Sequence, residues 1–185
     1  MKKILVYGMN DHIADAYQIV AERYGIAMYV IGDRILLETV SDAFRLDQDT
    51  DNTHEKLEGV FMIFHEIEIP EIVELLMAFK SSGLEYNGVK VMETKENGRF
   101  MLLAVLEQAR LQADLVAKAV QLKEVMEEAG NRDLSPLSRE EKADFRDAIE
   151  EAAGMTSGMR IDMQAMENCY EKLKFYIAKT KKMYN

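Results

Sequence analysis

The sequence predicts an α+β chain: a ferredoxin-like split βαβ domain over residues 1–112, followed by a three-helix segment over 113–185. Three observations predict it. A strand–helix–glycine–strand pattern occurs at 4–31 and again at 60–92, with helices of similar length and a stopping glycine in each. Two such halves are the sequence form of a split βαβ fold. After Phe100 the apolar spacing changes to alternating steps of four and three, which marks helices with narrow seams. A flavodoxin-like α/β sheet takes second place, because only two clear helical crossovers separate four strands.

Ile4 to Tyr7 form the first strand, and Gly8 breaks it. Asn10 or Asp11 then caps a helix by accepting a backbone N–H. Ile13, Ala16, Tyr17 and Val20 recur on one face, and Gly25 ends the helix. Ala27 to Ile31 make the second strand. Between the halves, Arg34 to Phe44 reads as a short helix, and the stretch after it is acidic and loop-like. Val60 to Phe64 is a continuous run of β-branched and aromatic residues, the mark of a strand buried on both faces. Pro70 sits at a helix start, where its missing N–H costs nothing. Ile72, Leu75, Leu76 and Phe79 give that helix its apolar stripe, and Gly83 takes the left-handed position after it. Val89 and Val91 begin the fourth strand.

The long helix runs from near Arg99 to about Ala129, with a seam of Leu102, Leu106, Ala109, Ala113, Val116 and Val120. Ser138 and Glu141 form a capping box for the next helix, whose face is Phe145, Ala148, Ile149 and Ala152. A turn is expected at 154–158. Met163, Met166, Tyr170, Leu173 and Ile177 form the last seam. The long helix covers about 45 Å, more than a domain of this size spans. A homo-oligomer built through the C-terminal helices is therefore expected.

Composition narrows the function classes. The net charge of −10 excludes nucleic acid as a main partner, since phosphate binding needs clustered Lys and Arg. A single cysteine, Cys169, excludes an internal disulfide and all-cysteine metal sites. No apolar run is long enough for a membrane span or a signal-peptide core, and a cytoplasmic protein is expected.

Asp47, Asp49, Asp51 and Glu58 fall at positions 1, 3, 5 and 12 of a calcium loop, with Thr53 offering a carbonyl. Asn52 stands where that loop wants glycine, and His54 where it wants an apolar residue. The competing reading is a solvated acidic connector, and no other cofactor is called for. His12, His54 and His65 are scattered, with no serine or cysteine nucleophile beside any of them in sequence. His65 closes a strand, where binding groups concentrate.

Lys90, Thr94, Asn97 and Phe100 carry a family likeness. They resemble the Lys-x-x-x-Thr-x-x-Asn-x-x-Trp signature of an uncharacterised bacterial family catalogued as domain of unknown function 3783. Phe100 stands in place of the tryptophan, and Lys95 and Glu96 replace a proline and a threonine. The resemblance covers about residues 1–112 and implies a β-α-β unit rather than an activity. Thr94 and Asn97 also suit local capping of the helix that follows.

The sequence thus predicts a non-enzymatic binding or regulatory module acting through protein association. The alternatives are a small-molecule sensor, with a ligand at His65, Thr94, Asn97 and Phe100, and an enzyme of unknown reaction.

Overall fold

The computed structural model describes residues 1–46, 53–157 and 162–182. The chain divides into two compact units, Met1–Leu111 and Gln112–Asn185, and the division falls inside a continuous helix.

The first unit is built on strands β1 (Lys3–Tyr7), β2 (Ala27–Ile31), β3 (Phe61–His65) and β4 (Val89–Met92). Helix α1 (Asp11–Glu22) joins β1 to β2, and α3 (Ile69–Ser81) joins β3 to β4. A 3-10 turn at Ile35–Leu37 and a single α-turn, α2 (Val40–Ala43), occupy the stretch expected to be one short helix. Thr39 interrupts it: extended in backbone, it accepts the Asp42 N–H and restarts the helix. Asn10 is the cap of α1, accepting from His12 N at 3.0 Å.

Among the described residues the sheet has four strands in the order β2-β1-β3-β4. β1 and β2 are parallel neighbours, β3 and β4 are parallel neighbours, and β1 meets β3 antiparallel. This corrects the expectation of a ferredoxin-like sheet, in which the strands of each βαβ half are split apart by a strand of the other. Here each half stays whole and the two lie side by side. The antiparallel centre also removes the all-parallel flavodoxin-like alternative. Two glycines mark the junction. Gly8 and Gly59 both have positive φ, and a Cβ on Gly8 would run into the Gly59 carbonyl oxygen. The ends of β1 and β3 approach that closely only without side chains.

Both faces of the sheet are covered. Ile4, Val6, Met28, Met62 and Phe64 pack under α1 and α3, against Tyr17, Val20, Ile72, Leu75 and Phe79. Leu5, Tyr7, Ile31, Phe61, Ile63 and Val91 face the other way. They meet Ile35, Leu36, Val40 and Phe44, and Leu102 and Leu106 at the start of α4 (Leu102–Gly130). Burial on both faces is why the central strands read as unbroken apolar runs.

The second unit packs Leu122, Val125 and Ala129 of α4 with two further helices, α5 (Arg139–Thr156) and α6 (Met163–Lys179). Ser138 and Glu141 make the capping box of α5. This helix continues through Gly154, where a turn was expected. Phe145, Ala148, Ala152, Met166, Leu173 and Ile177 are buried together. Two short strands, β5 (Arg132–Asp133) and β6 (Lys181–Lys182), pair antiparallel, a feature too short to leave a sequence period. The seam of α4 behaves differently along its length. Leu102 and Leu106 are core residues of the first unit, but Val116 and Val120 are 64% and 49% exposed. Within the second unit, α4 packs through Leu115, Leu122 and Val125 instead of through Val116 and Val120. No helix among the described residues is long and apolar enough to cross a membrane.

Candidate functional site

A cleft of about 740 Å³ opens where β3 and β4 end. Its walls come from Thr39–Arg45, from His65–Glu66, and from the loop Glu93–Arg99. Backbone hydrogen bonds join the first and last of these. Val40 N donates to the Phe100 carbonyl at 3.0 Å, and Ser41 N to that of Gly98 at 2.9 Å. Leu102 N likewise donates to Glu38 at 2.8 Å, so α2 and the start of α4 are held against each other.

Glu93 is the centre of the cleft. It continues the β3–β4 ladder, its N–H donating to Phe64 at 2.9 Å. Its carboxylate accepts the Ser41 hydroxyl at 2.6 Å and hydrogen-bonds Nδ1 of His65. The His65 ring stacks on Phe44, with centroids 4.6 Å apart and 23° between planes. Phe44 is itself held through its carbonyl, which accepts from Lys3 Nζ at 2.9 Å. The imidazole is thus fixed on one face and at one nitrogen. Nδ1 faces the Glu93 carboxylate, and Nε2 lies 3.9 Å from Glu66 Oε1 on the open side of the ring. Glu66 has a positive φ of 55°, a conformation that non-glycine residues adopt sparingly and that recurs at binding sites. Gly98 backs the cluster, because a Cβ there would lie 2.5 Å from Ser41 Oγ and 3.1 Å from the Thr94 carbonyl oxygen.

Three cations line the same cleft. Arg45 pairs with Asp42 at 2.8 Å, and Asp42 also accepts the Thr39 hydroxyl at 2.7 Å. Lys95 and Arg99 make no ion pair with a carboxylate among the described residues. Arg99 lies 5.7 Å from the centre of the Phe100 ring. The arrangement offers an oriented imidazole, the Thr94 hydroxyl and two cations that pair with no carboxylate among the described residues. Ser41 is not poised as a nucleophile, since its hydroxyl is spent on Glu93 rather than on a base that would take its proton.

Of the sequence candidates, His65 and Thr94 line this cleft. Asn97 is consumed by its own loop. It accepts from Thr94 N at 2.7 Å and donates to the Met92 carbonyl at 2.8 Å, while its N–H donates to Thr94 Oγ1 at 3.1 Å. Phe100 is 53% exposed beside the cleft rather than in its lining. His12 lies at the other end of the sheet, because β1 runs against β3. His54 meets the Ile31 carbonyl at 3.1 Å and the edge of Tyr7 at 5.0 Å. The calcium-loop residues Asp47, Asp49 and Asp51 lie outside the described residues. The Glu58 carbonyl accepts from Arg110 at 3.1 Å. That of Thr53 accepts the Asp33 N–H at 2.9 Å.

Sequence reading passed over Ser41, Arg45, Glu93, Gly98 and Arg99. Glu93 had one usable signal, its place directly after a strand. Ser41 had none, since its partner lies 52 residues away.

Comparison with protein-family models, curated proteins and solved structures gives no match to this chain.

Proposed function

We propose that the first unit binds a small polar molecule bearing a carboxylate or phosphate, in the cleft at the ends of β3 and β4. The observation that carries this reading is the Ser41–Glu93–His65 chain, which orients the imidazole beside Lys95 and Arg99. Arg99 supplies the planar fork suited to an oxyanion, and Lys95 a point charge. His65 Nε2 takes a hydrogen bond from the ligand, or gives one when protonated. The cleft lies within the range of small-molecule sites. Titration with inorganic phosphate and with malonate, followed by imidazole 15N shifts of His65, tests it. A saturable shift that Arg99→Ala weakens at least about tenfold is expected, as for a charge-assisted hydrogen bond. No saturable shift with either anion refutes the reading.

A second reading, self-association through the C-terminal helices, rests on Ala113, Val116 and Val120. They form an exposed stripe on the side of α4 away from the packed core. A second copy covers such a stripe most simply across a two-fold axis. Light scattering tests it: Val116→Asp is expected to halve the mass, and a monomeric parent chain disproves the idea. We further propose that the first unit is a divergent relative of the family catalogued as domain of unknown function 3783, on the strength of Lys90, Thr94 and Asn97. A cytoplasmic setting belongs to the same reading, supported by the lone thiol of Cys169.

A further inference from the structure

A second cleft, of about 590 Å³, lies at the opposite end of the sheet. It is lined by Gly8, Met9 and Asn10 after β1, by Ile13 and Tyr17 on α1, by Val60, and by Glu85–Gly88 before β4. Gly88 is there for space, since a Cβ on it would strike the Val60 carbonyl and the Tyr86 hydroxyl. The walls are mostly apolar, and Ile13 stands out from the core with its side chain exposed.

Tyr17 is the unusual member. Its ring is wedged edge-on against Phe79, with centroids 4.7 Å apart, and against Tyr86 at 6.3 Å. The residue is 4% exposed, yet its hydroxyl has no hydrogen-bond partner among the described residues. Tyr86 beside it shows the usual outcome, donating toward the Val60 and Val89 carbonyls at 3.1 and 2.9 Å. Buried phenols normally find such a partner. The Tyr17 hydroxyl is not sealed off either. Among the described residues, Arg132 Nε is the one buried side-chain polar atom enclosed without a partner. The hydroxyl therefore opens into the cleft that the residue lines.

Charge selects the kind of ligand. Glu85 is the one charged side chain among the described residues lining this cleft. It is near enough to Tyr17 that, after burial, its negative charge is the second cause raising the phenol above its ordinary value. An anionic ligand would meet the Glu85 carboxylate here, and no cation is among the described residues that line the cleft. A protonated amine donates to both the Tyr17 oxygen and the Glu85 carboxylate, and an apolar body displaces water from Met9, Ile13 and Val60. Lys80 lies 3.8 Å from Glu85, but both side chains are largely exposed, and such a pair yields readily to a better-placed ammonium.

We propose that this cleft is a binding site for a small molecule with an apolar body and a protonated amine, held between Tyr17 and Glu85. It differs in place and in charge preference from the oxyanion cleft. The test is an amide-shift titration of the full chain with phenethylamine as probe, and with phenylacetate as the same ring carrying the opposite charge. Expected are saturable shifts at Gly8, Ile13 and Gly88 with phenethylamine and none with phenylacetate. Tyr17→Phe keeps the packed ring and removes the hydroxyl, and Glu85→Gln removes an exposed charge. Each is expected to weaken binding about tenfold, the size of one hydrogen bond to a charged group. The proposal is overturned if phenethylamine gives no saturable shift, if phenylacetate binds equally well, or if both variants bind as the parent does.

Discussion

The first unit contains two polar clusters built from similar groups, and they differ in whether their hydrogen bonds are complete. At the end of β1, Tyr7 gives its hydroxyl to Asp33 at 2.7 Å and accepts the Leu57 N–H at 3.2 Å. Asp33 also accepts from the N–H groups of Glu55 and Lys56. Asp33 is 7% exposed, and the cluster is sealed between the sheet and the chain that precedes β3. At the end of β3, the Ser41–Glu93–His65 chain is just as well ordered but opens on a cleft, with a ring nitrogen and two cations still to be satisfied. A closed polar network fastens backbone; an open one leaves groups free for a ligand to meet, as proposed above for this cleft.

The largest effect is expected at the closed cluster. Asp33→Ala removes the acceptor shared by the Tyr7 hydroxyl, the Glu55 and Lys56 N–H groups and the Thr53 side chain, and should destabilise the first unit by about 3 kcal/mol. Urea melts check this, and a loss under about 1 kcal/mol would mean that water replaces the carboxylate at little cost.

The same cluster sets a pH dependence. Burial pushes the Asp33 carboxyl up, but the bonds from Tyr7, Glu55, Lys56 and Thr53 outweigh it and hold the group below its usual value. A carboxyl lowered on folding contributes stability that is present above its unfolded value, near 3.9. That contribution is lost as pH falls through the folded value. Burial, and after it the bond to Asp33, raise the Tyr7 phenol to about 12. That contribution is complete below the unfolded value near 10 and disappears as pH rises through 12. Denaturation midpoints across pH should therefore fall at both extremes, and Asp33→Asn should flatten the acid limb.

Gly98→Ala is expected to cost about 1–3 kcal/mol, because the new methyl displaces Ser41 from Glu93. It should also move the His65 imidazole resonances, a readout that a general loss of stability would not produce. Unchanged resonances would show that the cleft tolerates the methyl.

The smallest change in stability belongs to the open cluster. His65→Gln should shift the folding free energy by no more than about 1 kcal/mol. Phosphate affinity should nonetheless fall at least about tenfold, if Nε2 contacts the ligand. Calorimetry of folding and of binding on the same variant checks both, and the reverse pattern would make His65 a structural residue.

Much of the fold is legible in the sequence. Pro70, Gly83 and the Ile72–Phe79 stripe located α3, and Ser138 with Glu141 located the start of α5, because caps and periods act within a few residues. His65 was legible as a strand end, and Thr94 with Asn97 as a capping pair. The site itself was not. Ser41 reaches Glu93 only because the 38–41 segment hydrogen-bonds along 98–102, and nothing local in either stretch specifies the other.

By itself the sequence determined where the four strands of the main sheet and the helices between them lie, and that the central strands are buried on both faces. Those properties follow from backbone preferences and apolar periods, which a short window contains. Tertiary structure decided that each βαβ half stays whole and that β1 meets β3 antiparallel. It also decided that the C-terminal half of the α4 seam is left exposed. Alternating and continuous apolar patterns are the same for any neighbour a strand takes. The choice among neighbours falls to contacts such as Gly8 against Gly59, between residues far apart in the chain that show their need for each other only once they touch.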